Sequence, residues 1–280
     1  MSKINIPKLQ KLKQSGEKLA MVTCYDATFA RLIDSTDIEV VLVGDSLGMV
    51  IQGQKTTLPV TLEEMIYHTR AVARGLTKPL LVADMPFLSY QASLSEAIKN
   101  AGQLLKKGHA ESVKIEGGEE VGELVAKLTK IGVPVMGHIG LQPQSIHKYG
   151  GYKIQGRSLS DEKRLIKEAK VLAEAGCWSL VLEGIPIEVA QKITRSVAIP
   201  TIGIASGPHC DGQVLVIYDL LGMDPKFRPR FVKPYADLGK IIPEALQRYQ
   251  GEIKSGHFPT EEHSFHRDLT LLKRPKSSAS

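Results

Sequence analysis

Cysteine is scarce in this sequence. Cys24, Cys177 and Cys210 are odd in number, far apart and without a CxxC spacing, which argues against a disulfide framework and leaves no basis for thiol chemistry. Such usage points to a reducing compartment, the cytoplasm. Aromatic residues are also sparse, at 5%, whereas a groove for nucleic acid interleaves such rings with clustered Lys and Arg. No apolar run approaches the roughly 18 residues of a membrane span. The opening MSKINIPKLQKLKQSG has lysines but lacks the apolar segment of a signal peptide. Positive charge does not dominate the body of the chain. The net +6 arises from residues 1–20, at +4, and residues 267–280, at +3, leaving about −1 between them. Both ends are expected to be solvated, with 267–280 a disordered basic tail, so nucleic-acid binding through them is a weak alternative.

What the chain does have is a globular balance, with 42% hydrophobic and 24% charged residues over 280 positions. Apolar runs rich in branched residues recur at 21–24, 40–43, 80–83, 113–115, 134–136, 180–182 and 201–204. They do not alternate polar with apolar, so they suit parallel strands covered on both faces, joined by crossovers of about a dozen residues or more. The segments between them supply helices. Thr61 and Glu64 form a capping box ahead of MIYHTRAVAR, Ser95 opens EAIKNAGQLLKK, Ser160 precedes DEKRLIKEAKVLAEAG, and Pro186 stands before EVAQKITRSV. A short helix is expected in IPKLQKLKQSG, ahead of the first strand. The eighth strand is expected at 230–233, with the VLVIYD run after Asp211 read as a capped helix. Units repeating at roughly 30 residues without a linker predict one α/β domain over 1–266, a (β/α)8 TIM barrel. A doubly wound sheet is disfavoured because no GxGxxG follows the first strand.

In such a barrel the carboxyl ends of all strands open on one face, where active sites are built. Asp45, Asp84 and Glu116 close the second, third and fourth runs in equivalent places. Singly, each suits a helix cap or a surface ion pair; together in a partly buried mouth, they repel one another unless a cation holds them. Oxygen donors of this kind suit Mg2+ better than zinc. Glu183, set between apolar neighbours in LVLEGIP, is the expected general base, since such surroundings disfavour its charge. His138 in GHIG projects to the same face as a ligand or proton relay. Lys114 shares a strand face with Glu116, where it either binds a substrate carboxylate or pairs with that glutamate. Ser46 offers a hydroxyl beside backbone that a small anion can approach closely. The Gly-rich basic segment 142–158 is expected to be a mobile loop over the mouth, and EEHSFH at 261–266 a surface contact rather than a metal cluster.

These residues also carry a resemblance. TCYDATFA, VLVGDSLGMVIQG, TTLPVTLEEMIYHT, ADMPF, VKIEGG, GHIGLQPQS, GGYKIQGR, LVLEGIP, DGQVLVIYD and EEHSFH follow in order from about residue 4 to residue 266. Together they make the chain similar to the ketopantoate hydroxymethyltransferase family. Where members usually read GIGAG, this chain reads GIASG, with Ala205 and Ser206. The resemblance implies a phosphoenolpyruvate/isocitrate lyase-like barrel that uses Mg2+ and 5,10-methylenetetrahydrofolate to hydroxymethylate 3-methyl-2-oxobutanoate in pantothenate synthesis. It implies Asp45, Asp84 and Glu116 as metal acids, the first two also meeting substrate, with Ser46 and Lys114 as substrate contacts. Glu183 becomes the proton acceptor, and His138 lies near the new hydroxymethyl group. A cytoplasmic homo-oligomer, commonly a decamer, is implied as well, without nucleic-acid or membrane partners. The enzyme alternative is a metal-dependent 2-oxoacid lyase of the isocitrate lyase and phosphonopyruvate type, which needs no folate.

Overall fold

Eight short strands, each parallel to the next, close on themselves in chain order, so that β1 pairs with both β2 and β8. They are β1 (Leu19–Thr23), β2 (Val40–Val43), β3 (Leu80–Asp84), β4 (Ser112–Glu116), β5 (Val135–Gly140), β6 (Ser179–Glu183), β7 (Thr201–Ile204) and β8 (Gly212–Leu215). The computed structural model describes residues 3–267; the basic tail beyond Arg267 lies outside the described residues. Helices α1 (Ile6–Ser15), α2 (Ala27–Asp34), α3 (Leu47–Val50), α4 (Leu62–Ala73), α5 (Leu94–Lys106) and α6 (Gly122–Lys130) accompany the first half. The second half carries α7 (Ile146–Tyr149), α8 (Leu159–Glu174), α9 (Ile187–Ser196), α10 (Ile217–Leu220) and α11 (Leu238–Ser255). Among the described residues no helix is long and apolar enough to cross a membrane.

Strands β2 to β5 are buried along their whole length, which is why their runs read as continuously apolar. Alternate residues serve two separate cores: Val40, Leu42, Leu80 and Val82 pack inside the barrel, while Val41, Val43, Leu81 and Ala83 pack beneath the helices. The inward parity continues to Asp84, to Lys114 and Glu116, to His138 and to Glu183, so one strand geometry carries all five to the mouth. At the other end α1 contributes buried Leu9, with Ile4 just before it, to the inner core. Its Lys13 reaches Asp211 at 2.8 Å, and Lys3 reaches Glu111 at 2.7 Å. The basic N-terminus is therefore docked on the barrel rather than freely solvated.

The capping box is present as expected, with Glu64 N donating to Thr61 Oγ1 at 3.2 Å and Thr61 N to Glu64 Oε2 at 2.8 Å. Helices α5 and α8 start earlier than expected, capped by Ser93 and Ser158 instead of Ser95 and Ser160. The earlier serines win because each stands three residues before an acid, Glu96 or Asp161, whose backbone N–H it accepts at 3.2 and 3.1 Å. The eighth strand is a larger correction. It is formed by 212–215, the start of the stretch read as a helix, whereas 230–233 has no strand structure. Only seven residues, 205–211, join β7 to β8, with no helix between them. That connection is shorter than parallel crossovers normally allow. It turns at Ala205, held at φ 52, while the Ser206 hydroxyl donates to Leu182 O at 2.7 Å and ties the turn to β6.

Helix α11 buries none of its residues. Ile242, Leu246, Tyr249 and Ile253 recur at helical spacing along one face and are 40–61% exposed. On the barrel, the outer face at Ala20 of β1 and Gln213 of β8 is likewise open to solvent.

Candidate active site

Parallel register places the chemistry. Asp84 is the cross-strand neighbour of Lys114, Glu116 of His138, and Gly140 of Glu183. Asp45, Asp84, Lys114, Glu116 and His138 are each no more than 6% exposed. Lys114 Nζ lies 2.8 Å from Asp84 Oδ1 but 3.9 Å from Glu116 Oε1, so its main partner is the aspartate across the ladder and not the glutamate on its own strand. Lys114 and Asp84 form a buried ion pair. Asp84 Oδ2 accepts from Asp45 N at 3.0 Å, which joins the ends of β2 and β3. His138 Nδ1 stands 3.5 Å from Glu116 Oε1, and its Nε2 stands 3.3 Å from Glu183 Oε2. Ser46 Oγ lies 2.8 Å from the Tyr25 hydroxyl at the edge of this group.

Glu183 departs from expectation. Its side chain is 20% exposed and faces the His138 ring, so it sits at the lip of the cluster and not in an apolar enclosure. Gln144, which sequence reasoning passed over, is the hub between the acids. Its Nε2 donates to Asp45 Oδ2 at 2.8 Å and to Met85 O at 3.0 Å, and its backbone N–H donates to Glu116 Oε2 at 3.1 Å. Its Oε1 accepts from the buried Tyr90 hydroxyl at 2.9 Å. The only sequence hint was the polar LQPQS directly after the fifth strand. The segment carrying Gln144 is anchored at this point, while Tyr152 further along is 53% exposed.

The electrostatics of the cluster are those of a buried negative site. Burial, then the charges of Asp84 and Glu116, push the Asp45 carboxyl well above its ordinary range. Burial also raises Asp84, against the pull of Lys114. Glu116 is held low despite burial by His138, Lys114 and the Gln144 N–H. Burial and the Lys114 charge oppose a proton on His138, but Glu116 and Glu183 prevail and raise its pKa to about 9. Both shifts favour the protonated form, on Asp45 through burial first and neighbouring carboxylates second, on His138 through Glu116 and Glu183. The contact of Lys114 Nζ with His138 Nδ1 at 3.2 Å opposes that protonation, since lysine can only donate. A cation among the carboxylates would leave the ring neutral, with Nε2–H toward Glu183.

Among the described residues no three His, Cys, Asp or Glu side chains converge into a ready-made metal cage. Hard cations such as magnesium need no such cage, taking one or two carboxylates and keeping several waters. The oxygen-only pair Asp45 and Asp84 fits that demand, with Glu116 drawn aside by His138 and the Gln144 N–H. A cleft of about 140 Å³ opens between Phe87, Glu120 and Gln142, with Glu116 and Gln144 in its wall. The larger hollow of about 530 Å³ beside Arg228 and Tyr235 precedes α11 and touches none of these groups.

Comparison with known proteins gives a consistent result. Residues 3–261 match the family model described as ketopantoate hydroxymethyltransferase. The 3-methyl-2-oxobutanoate hydroxymethyltransferase of Carboxydothermus hydrogenoformans is 52% identical over 98% of this chain and 99% of its own. The enzyme of the same name from Syntrophotalea carbinolica is 56% identical over 92% and 96%. Among solved structures, phosphonopyruvate hydrolase complexed with oxalate and Mg++ has a TM-score of 0.60 at 11% identity, covering 97% of this chain and 94% of that one. A 2,3-dimethylmalate lyase of the PEP mutase/isocitrate lyase superfamily has a TM-score of 0.56 at 13% identity, covering 95% and 92%. At such identities the structural likeness speaks for the barrel alone, whereas the family match spans nearly the whole sequence: this chain belongs to the ketopantoate hydroxymethyltransferase family.

Proposed function

We propose that the enzyme transfers a one-carbon unit from 5,10-methylenetetrahydrofolate to 3-methyl-2-oxobutanoate, forming 2-dehydropantoate. The observation that carries this reading is the Glu183 carboxylate at the lip of the buried acids, 3.3 Å from His138. Asp45 and Asp84 would hold Mg2+ directly, with Glu116 reaching it through water. When bound, the ion supplies Lewis-acid polarisation of the 2-oxoacid oxygens, an effect of several kcal/mol on developing negative charge. Glu183 takes the C3 proton, and the resulting carbon nucleophile forms its bond to the folate methylene carbon. Both methylene C–N bonds break. The two nitrogens of the departing tetrahydrofolate take one proton from water and the one carried by Glu183, while the remaining hydroxyl of that water becomes the hydroxyl of the new group. His138, bridging Glu116 and Glu183, orients the base and accepts or returns its proton. Lys114, held by Asp84, and Ser46, beside Tyr25, receive the substrate carboxylate. The high identity to named hydroxymethyltransferases favours this chemistry over a folate-independent lyase.

The test is proton NMR of 3-methyl-2-oxobutanoate in heavy water with enzyme and Mg2+ but no folate. Exchange at C3 is expected, and a chelator should abolish it. Exchange that proceeds unchanged in Glu183→Gln would remove the base from this mechanism.

We further propose that the chain works in the cytoplasm as a homo-oligomer. The apolar stripe on α11 fits the open outer face around Ala20 and Gln213 of a second copy, where a parallel barrel ordinarily carries a covering helix.

A further inference from the structure

We propose that the cleft beside Glu116 receives the pterin ring of the one-carbon donor. This rests on the hydroxymethyl-transfer reading above. At about 140 Å³, close to the ~150 Å³ of a cavity that takes up a benzene ring, the cleft encloses one ring of the fused bicycle while the other extends through its open mouth. Its position is right for transfer. Glu116 and Gln144 border both the cleft and the acid cluster, so a ring held there adjoins the place proposed for the keto acid.

The lining matches the ligand's chemistry. Phe87, 37% exposed, and buried Val121 offer apolar surface to a flat ring. Around them stand the Glu120 carboxylate and the side-chain amides of Gln91 and Gln142. The 2-amino-4-oxo edge of a pterin presents adjacent N–H donors beside a carbonyl, and a carboxylate accepts such a donor pair while an amide serves the carbonyl. Among the described residues Glu120 has no ion-pair partner, whereas its neighbour Glu119 is paired with Lys167 at 2.6 Å.

The cleft is also built rather than left over. Leu88 adopts φ 62, a left-handed conformation that leucine holds only when its surroundings over-determine it. Here the turn is pinned by Ser89 N donating to Pro86 O at 3.0 Å and by Asn100 Nδ2 donating to Ser89 O at 2.8 Å. The consequence is that Phe87 points toward solvent while Tyr90 turns inward, its hydroxyl 2.9 Å from both Glu116 O and Gln144 Oε1.

Glu120→Gln and Phe87→Ala, prepared as Mg2+-loaded full-length enzyme, test the assignment. Each is expected to raise KM for 5,10-methylenetetrahydrofolate about tenfold or more, with KM for the keto acid unmoved. Equilibrium dialysis with tetrahydrofolate should show the same loss of affinity. An unchanged folate KM and affinity in both variants overturns the proposal. So does a matching loss of folate-independent C3–H exchange, because the residues would then serve the acid cluster. A wild-type enzyme that catalyses exchange but neither binds tetrahydrofolate nor forms product overturns the transfer reading itself, which separates the two failures.

Discussion

At the barrel mouth, charged side chains lie out of water; along α11, apolar side chains lie in it. Asp45, Asp84, Lys114, Glu116 and His138 are buried, while Ile242, Leu246, Tyr249 and Ile253 are exposed on a helix with no buried residue. Exposed single hydrophobics are ordinary, but a buried ionic group or a continuous apolar stripe is informative. The two regions teach different things. The mouth is internally paired, through Lys114, Gln144 and His138, yet gathers more carboxylates than cationic side chains, the feature on which the proposed Mg2+ site rests. The helix pairs Lys240 with Glu244 at 3.9 Å on its own surface but leaves its apolar stripe open to solvent.

The sharpest way to probe the mouth is at its base. Glu183→Gln should lower C3–H exchange by about 10²–10⁴-fold without changing the size of the assembly; NMR exchange and light scattering check the two halves separately. Next comes the cation. Mg2+ at about a hundred times its Kd should stabilise the fold by about 2.7 kcal/mol, read as a rise in melting temperature, and Asp45→Asn should remove most of that rise. The sign of the pH effect follows from the shifts. His138, raised to about 9, contributes stability that is complete below its ordinary 6.5 and lost as pH rises through 9. Asp45, raised by burial, likewise contributes stability that is complete below its ordinary 3.8 and lost as pH rises through its raised pKa, so it acts in the same direction. Melting curves in chelator should therefore fall from pH 6.5 to 9, and Mg2+ should flatten that fall. A slope that Mg2+ leaves untouched would mean the shifted groups are not offset by a cation.

A smaller effect is expected at the other region. Leu246→Glu removes an apolar contact that contributes about 2 kcal/mol when buried, and it should shift the protein toward smaller species in sedimentation while Mg2+ binding persists. If assembly is unchanged, α11 is not the contact and the comparison breaks. Thr61→Ala, in neither region, calibrates both. Losing the capping box should cost about 1 kcal/mol, about 2 °C in melting temperature for a chain of this size, with activity intact.

Sequence reasoning located the barrel and most of the mouth because both follow from local pattern. A fully buried parallel strand must read as a short apolar run, and the first polar residue past it on the inward parity must face the mouth. That logic reached Asp84, Glu116, His138 and Glu183. It failed at β8, because a seven-residue connection carries no helix to announce a crossover. It also left out the nearer partner of Lys114, offering Glu116 as one of two readings; that glutamate stands at 3.9 Å. Spacing along one strand suggested Glu116, whereas the register between strands delivers Asp84 at 2.8 Å. Gln144 was illegible for a related reason. Its bonds run to positions 28, 59 and 99 residues away, and nothing in LQPQS records those distances.

By itself, then, the order of residues determined the strand faces, the Thr61–Glu64 capping box and which acids end the strands, since these depend on neighbours within a turn or two of the chain. Tertiary structure decided which charge meets which, how far Glu183 stands open to solvent, and that α11 presents its apolar face unburied. Those outcomes depend on distances between segments that closure of the barrel creates, and Coulombic and burial energies respond to such distances and not to separation along the chain.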